Sequence, residues 1–327
     1  MAVDTFFVTG AMGCIGAWTL RRLVRAGVRV VAFDLSGDPR RLRLLMDDDE
    51  LAQITFVRGD ITDLEQVKLL IERYGVTHVI HLAALQVPAC KADPSLGARV
   101  NVVGAANVFE AVRQSETRSA GRVRGLAYAS SVAALGPTSF YDHFPLPDDA
   151  PLRPDTLYGA FKLADEHLAR VYWQDWQVGS VGLRPYIVYG VGRDQGMTSD
   201  LPQAILAAAR GKPYHIRFGG PVALQYADDV AQMFIGAARA EYCGAMALNI
   251  RNDVIDVGEF VRLLKVMVPG AQITYEPDSA LPFPANLDDR GLRGLLGEVP
   301  HTPLEQAIGE TLEMFRALSA KGQIESV

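Results

Sequence analysis

The chain has few cysteines, no excess of basic charge and no long apolar run. Cys14, Cys90 and Cys243 are the only thiols in 327 residues, odd in number and far apart, so neither a disulfide framework nor a metal-ligand cluster is spelled out. No metal site is expected. A formal charge of -6 leaves no basic stripe to neutralise phosphates, which argues against a nucleic-acid partner. No segment approaches the ~20 apolar residues of a membrane helix. Met1 leads almost directly into Thr5-Phe6-Phe7-Val8-Thr9, without the basic and apolar regions of an export signal. These absences predict a soluble, unexported, cytoplasmic protein with reduced thiols and no membrane contact. A neutral or modestly anionic small molecule is the kind of partner they leave open.

Apolar residues make up 49% of the chain, ample for a buried core. The length exceeds what one core usually organises, so a large domain with a smaller lobe is expected. Short apolar runs at 5–9, 29–33, 54–58, 78–82, 124–129 and 179–184 read as strands. Between them, Ile15–Ala26, Leu64–Tyr74, Leu96–Gln114 and Leu157–Trp176 carry apolar residues at helical spacing. Such alternation predicts βαβ units and a parallel, doubly wound sheet. Beyond Arg184, Gly and Pro become frequent from Gly190 to Pro221, which reads as loop. A helix then opens near Tyr226, with Asp228 or Asp229 as its N-cap. A helix near 256–268, a strand near 272–275 and a helix near 303–319 complete the smaller lobe. The expected division is 1–186, with 222–250 returning to it, and a substrate lobe from 187–221 and 251–327.

Gly10-Ala11-Met12-Gly13-Cys14-Ile15-Gly16 lies between the first predicted strand and helix. Three positions without a Cβ there allow a tight turn, and let backbone amides and the helix dipole approach a pyrophosphate. Asp34 closes the second strand 24 residues after Gly10, where a carboxylate can accept hydrogen bonds from ribose hydroxyls and repel a 2′-phosphate. This is the pattern of a Rossmann fold that takes NAD rather than NADP. Met12, Leu35 and Ile61 flank these positions. Asp60 is a candidate for the adenine amino group, with an ordinary turn carboxylate as the competing reading. Leu82, Ala83 and Ala84 follow the fourth strand and let a dinucleotide pass close by. His81, at the end of a buried strand, reads as a hydrogen-bonded core residue rather than a catalyst.

Tyr158 and Lys162 stand at i and i+4, on one face of a helix. A phenol of pKa ~10 needs roughly 4 kcal/mol of preferential phenolate stabilisation to serve as a base near neutrality. An ammonium about 4 Å away at an effective dielectric of ~20 supplies that much. Ala129-Ser130-Ser131 ends the fifth strand 27 residues upstream, where strand ends form the ligand crevice. A hydroxyl there can hold a substrate oxygen while the phenolate takes its proton.

Taken with His81-Leu82-Ala83-Ala84 and Asn101-Val102-Val103-Gly104, these motifs resemble the extended short-chain dehydrogenase/reductases, the NAD-dependent epimerase/dehydratase family. The resemblance implies Ser131, Tyr158 and Lys162 as the catalytic group, Lys162 also holding the nicotinamide ribose. It implies cofactor contacts from Asn101, Pro185 and Val188, and a homodimer built on Leu96–Gln114 and Leu157–Trp176.

Two departures bear on the substrate. Members acting on nucleotide sugars carry Asn where this chain has Ile187, and Arg where it has Val222-Ala223-Leu224. An Arg fork on a diphosphate is hard to replace. The expectation is an NAD-dependent dehydrogenase of a small polyol, sugar, sugar acid or hydroxy acid. An NAD-dependent sugar or nucleotide-sugar epimerase/dehydratase with transient hydride transfer and a non-catalytic dinucleotide-binding module are the alternatives. Gln86, Ser131, Tyr186 and Arg193 are the candidate substrate contacts, Arg193 or Arg290 serving as an anion anchor.

Overall fold

In the computed structural model, residues 4–115 and 123–324 are described. Seven strands form one parallel sheet: β1 (Thr5–Thr9), β2 (Arg29–Asp34), β3 (Ile54–Arg58), β4 (His78–His81), β5 (Gly125–Ala129), β6 (Ser180–Arg184) and, after β7 (Ile187–Tyr189), β8 (Tyr214–Ile216) and β9 (Pro221–Tyr226), the strand β10 (Ala245–Asn249). Their order is β10-β6-β5-β4-β1-β2-β3. Every residue of β1 and of β6 is buried, as expected of strands covered on both faces. The chain runs outward from β1 to β3 and then crosses to β4 on the other side of β1. The ends of β1 and β4 therefore form the switch point at which such sheets bind ligands.

Helices cover both faces. Cys14–Arg25 and Ala227–Arg239 pack against each other over one. Leu64–Arg73, Gly104–Ser115 and Leu157–Trp176 pack over the other, around Val67, Ile71, Phe109 and Ala169. Thr156 caps the long helix by accepting from the Gly159 amide at 3.0 Å, and Gln177 ends it in the left-handed region at φ 58°.

Three features differ from expectation. The segment 96–114 is interrupted: Pro94–Ala98 is α-helical, Arg99–Val103 makes a π turn, and Gly104–Ser115 resumes the α-helix. Inside that turn Asn101 is buried, its side-chain oxygen accepting from the Leu85 amide at 2.7 Å and its nitrogen donating to the Leu85 carbonyl at 2.9 Å. Neither Asp228 nor Asp229 caps a helix; Tyr226 holds the N-cap position without a side-chain bond. Asp228 pairs with Arg22, while Asp229 accepts from the amide and hydroxyl of Thr302 at 2.7 and 2.9 Å. Both carboxylates join distant segments instead. The Gly- and Pro-rich stretch after Arg184 is also more regular than its composition implies. It holds β7, the helix Asp200–Ala209 and β8. Strand β7 pairs with β9, which in turn pairs with β11 (Asp253–Asp256), and β8 pairs with β12 (Ile273–Tyr275). No helix among the described residues is long and apolar enough to cross a membrane.

Candidate active site

A cleft of about 640 Å³ follows the C-terminal edge of the sheet across the switch point. At its centre the glycine turn closes tightly. Gly10 adopts φ +67°, and a Cβ there would lie 2.6 Å from the Ala83 nitrogen, so only glycine lets β1 and β4 approach this closely. The helix Cys14–Arg25 begins directly after Gly13, with no side-chain cap and no acidic residue in its first turn. Its first N–H groups are left for a ligand in the cleft.

Asp34 ends β2 and lines the same cleft. Its Oδ2 accepts from the Met12 amide and its Oδ1 from the Ser36 amide, both at 2.9 Å. The carboxylate thus fixes the glycine turn while retaining lone pairs that ribose hydroxyls can use. Leu35, Asp60 and Ile61 line this end as well. Asp60 Oδ1 accepts from the amide and hydroxyl of Thr62, each at 2.9 Å, an Asx-type turn that accounts for the residue without any ligand. His81 is buried, bonded through Nδ1 to Thr9 Oγ1 at 2.7 Å, and burial pushes its pKa down to about 3. It is a neutral core residue at the pH of the cell.

Ser131, Tyr158 and Lys162 meet at the opposite end. Gly159 makes this possible: a Cβ there would sit 2.2 Å from the Ala133 carbonyl oxygen, so the helix carrying Tyr158 lies directly on the turn that Ser131 begins. The Ser131 hydroxyl accepts from the Ala133 amide at 3.1 Å. Ser130 points elsewhere, donating to Glu166 Oε1 at 2.5 Å, and Glu166 holds Arg184 through two bonds of 2.8 Å. That buried network supports β6 and ties up the Ser130 hydroxyl, although Ser130 lines the cleft beside Ser131.

Lys162 is not the free ammonium that the spacing predicts. Its side chain is 2% exposed, 5.9 Å from the centroid of the Tyr158 ring, and pairs at 3.0 Å with Asp165, itself 1% exposed. Burial disfavours the charge on Lys162, but Asp165 and Tyr158 outweigh it and hold its pKa above the ordinary lysine value. Burial raises Asp165 to about 6, against the opposing pull of Lys162. The field at the phenol therefore comes from a compensated pair. Asp165 could have been found from its i+3 spacing to Lys162 on one helix face.

The remaining expected contacts divide. Met12, Cys14, Ile15, Gly16, Leu82, Ala83, Ala84, Gln86, Pro185, Tyr186, Val188 and Arg193 all line the cleft. Asn101 does not, because its amide is spent on Leu85. Tyr186 donates its hydroxyl to the Phe283 carbonyl at 3.2 Å, and Phe283, invisible from sequence spacing, walls the cleft beside it. Arg290 is removed from the site: it is exposed and pairs with Asp288, its Nε 2.7 Å from Oδ2. Ile187 and the run Val222-Ala223-Leu224 are fully buried in the apolar core and do not line the cleft. Strand alternation explains Ile187, since its neighbours Tyr186 and Val188 face the cleft. Arg41 is an unforeseen lining residue, donating to the Met12 carbonyl at 3.0 Å and pairing with Asp194 at 2.6 Å.

Residues 6–250 match the model of the NAD dependent epimerase/dehydratase family. A UDP-glucose 4-epimerase of Mycolicibacterium smegmatis is 29% identical over 94% of this chain and 97% of its own length. A mitochondrial L-threonine 3-dehydrogenase of Sus scrofa is 28% identical over 73% of this chain and 64% of its own. Among solved structures, a Thermus thermophilus UDP-glucose 4-epimerase in complex with NAD superposes with a TM-score of 0.79 at 25% identity, covering 95% of this chain and 99% of that one. With the parallel sheet, the glycine turn at its switch point and Ser131, Tyr158 and Lys162 lining the same cleft, these matches establish that the chain belongs to the NAD-dependent epimerase/dehydratase family of extended short-chain dehydrogenase/reductases.

Proposed function

We propose that this enzyme oxidises a secondary hydroxyl of a small polyol, sugar, sugar acid or hydroxy acid. The observation that carries the reading is the convergence of Ser131, Tyr158 and Lys162 on one end of a cleft whose other end holds Asp34. The residues present fit NAD: a cradle at Gly10 that a Cβ would fill, an uncapped helix start, and a carboxylate at the end of β2. When bound, NAD supplies the hydride acceptor. Tyr158 takes the proton of the reacting hydroxyl, and Ser131, whose hydrogen is committed to no protein acceptor among the described residues, donates to the same oxygen. Lys162 stabilises the phenolate and holds the nicotinamide ribose. Asp165 keeps the lysine charged and fixed.

The substrate end offers few charged groups to a large polar ligand. Tyr186 and Phe283 wall it with aromatic surface, Val132 and Met197 add aliphatic surface, and Gln86, Gln195 and Thr198 offer neutral polar groups. A diphosphate-linked sugar would bring further negative charge into a cleft whose cations, Arg193 apart, are already paired with carboxylates. The segments 187–221 and 251–327 are read as the substrate lobe. The exposed apolar residues Leu96, Val103, Leu157 and Trp176 on the two helical segments are read as a homodimer face, and gel filtration at micromolar concentration should give twice the chain mass.

The likeness to a UDP-glucose 4-epimerase over nearly both whole chains favours one second reading, epimerisation with the hydride returned. Incubation with NAD and a panel of polyols, sugars, sugar acids, hydroxy acids and UDP-sugars, followed by NADH absorbance and by isomer analysis, separates the two. The dehydrogenase reading expects NADH in proportion to substrate consumed. Isomer interconversion without net NADH, observed with UDP-sugars, would replace it by the second.

A further inference from the structure

The segment after β7 lines the cleft through Arg193, Gln195, Met197 and Thr198 and is tied to the face that carries the glycine turn. Trp18 Nε1, in the first helix, donates to the Val191 carbonyl at 2.9 Å. Arg41 holds one oxygen of Asp194 through Nε at 3.1 Å and Nη2 at 2.6 Å, while its Nη1 donates to the Met12 carbonyl at 3.0 Å. Arg193 lies between these two tethers and lines the cleft.

Its guanidinium is underused. Nη2 donates to Thr198 Oγ1 at 3.1 Å, Nε is buried without a partner, and no carboxylate pairs with it among the described residues. The other cations lining the cleft are committed: Arg40 and Arg41 to Asp194 at 3.6 and 2.6 Å, Lys162 to Asp165 at 3.0 Å. A buried guanidinium edge without an acceptor is costly until a ligand supplies one. The neighbourhood indicates which ligand group that is. Burial raises the Cys14 thiol to about 11, and Arg193, followed by Arg41, supplies the opposing positive field. Cys14 is the first residue of the uncapped helix and lines the same cleft as Arg193, whose neighbours Val191 and Asp194 are tied to Trp18 of that helix and to Arg41, itself bonded to Met12 of the glycine turn.

We propose that the strap 190–199 carries Arg193 as a clamp on the pyrophosphate of the dinucleotide, and that the Arg41–Asp194 pair is the latch that sets how fast the dinucleotide leaves. The proposal rests on the reading of the cleft as an NAD site and is independent of which alcohol is oxidised. An anion could also come from a substrate carboxylate, and the arms of the test separate the two.

Release of NADH from the loaded enzyme into excess NAD is followed by fluorescence, beside equilibrium titrations with NADH, ADP-ribose and adenosine. Replacing Arg193 by Ala should weaken NADH and ADP-ribose about tenfold or more and leave adenosine unchanged. Asp194→Asn should speed NADH release several-fold. Arg193→Gln, which keeps a donor for Thr198, gives the same reading should the Ala variant fail to fold. NADH and ADP-ribose binding within twofold of wild type in the Arg193 variants overturns the proposal, as does a loss shared equally by adenosine. Intact NADH binding with a raised substrate KM overturns it too, and assigns the guanidinium to a substrate anion. Failure of the wild type to bind NADH would instead remove the underlying reading.

Discussion

The two ends of the cleft are built in different ways. The cofactor end draws mainly on the first 61 residues, where Gly10, Asp34 and Asp60 stand at or just beyond the C-terminal end of a strand. Its geometry is that of a strand, a turn and a helix start, repeated. The substrate end is assembled from Gln86, Ser131, Tyr186, Gln195, Met197, Thr198 and Phe283, segments that meet only after the chain has folded back on itself. Apart from the Arg193 clamp, what binds the dinucleotide is thus specified by local backbone rules, and what selects the alcohol by long-range packing. The difference predicts that the ends can be damaged separately.

The largest separable effect is at Tyr158. Tyr158→Phe removes the proton acceptor while keeping the ring, and turnover should fall by roughly a thousandfold, within the range typical of general acid–base groups. NADH affinity should stay within a few-fold of wild type. Equal turnover by the variant would remove Tyr158 from the chemistry, and a parallel loss of NADH binding would show that the two ends are not independent.

Next in size is the pair that links the ends. Lys162 and Asp165 are both nearly inaccessible, and Asp165→Asn would leave an ammonium buried without its counter-ion. Breaking one side of such a pair costs about 3–5 kcal/mol. Denaturant unfolding should show a loss of that order, and the double variant Lys162→Met with Asp165→Asn should recover most of it. A loss below about 1 kcal/mol in the single variant would mean that the surroundings, not Asp165, hold the lysine.

That pair also marks the limit of what could be read from residue order. Strands β1 to β6, the glycine turn, Asp34 and the Tyr158–Lys162 face were legible because each depends on spacing within a few residues. The same spacing logic put Lys162 beside the phenol but treated it as a lone charge. Burial, which spacing does not encode, makes a counter-ion at i+3 obligatory. Asn101 was misplaced for a related reason: it lies buried in a π turn, its amide taken up by the Leu85 backbone. Ile187 and Val222 marked an absence of polar groups but not the surface they belong to, since both lie in the core. Phe283 and Arg41 reach the site through contacts between segments far apart in the chain, for which no local pattern exists.

The smallest effect concerns a residue at the junction of the two ends. His81 closes β4 next to the glycine turn, where an imidazole invites a catalytic role, yet it is buried against Thr9 and its pKa is pushed down to about 3 by burial and then by Lys162. A histidine depressed in the folded state is stabilising while neutral: its contribution is complete above the unfolded pKa near 6.5 and falls as the pH drops toward the folded value. Between pH 7 and pH 5 that amounts to about 2 kcal/mol. His81→Asn cannot titrate, so its unfolding free energy should decline less over this interval than that of the wild type, whatever fixed cost the substitution carries. Turnover at pH 7 should remain within a few-fold, because the imidazole serves the packing between β1 and β4 and not the proton transfer. A collapse of turnover in a folded His81→Asn protein, with NADH binding intact, would instead place this side chain in the chemistry and move the boundary between the two ends of the cleft.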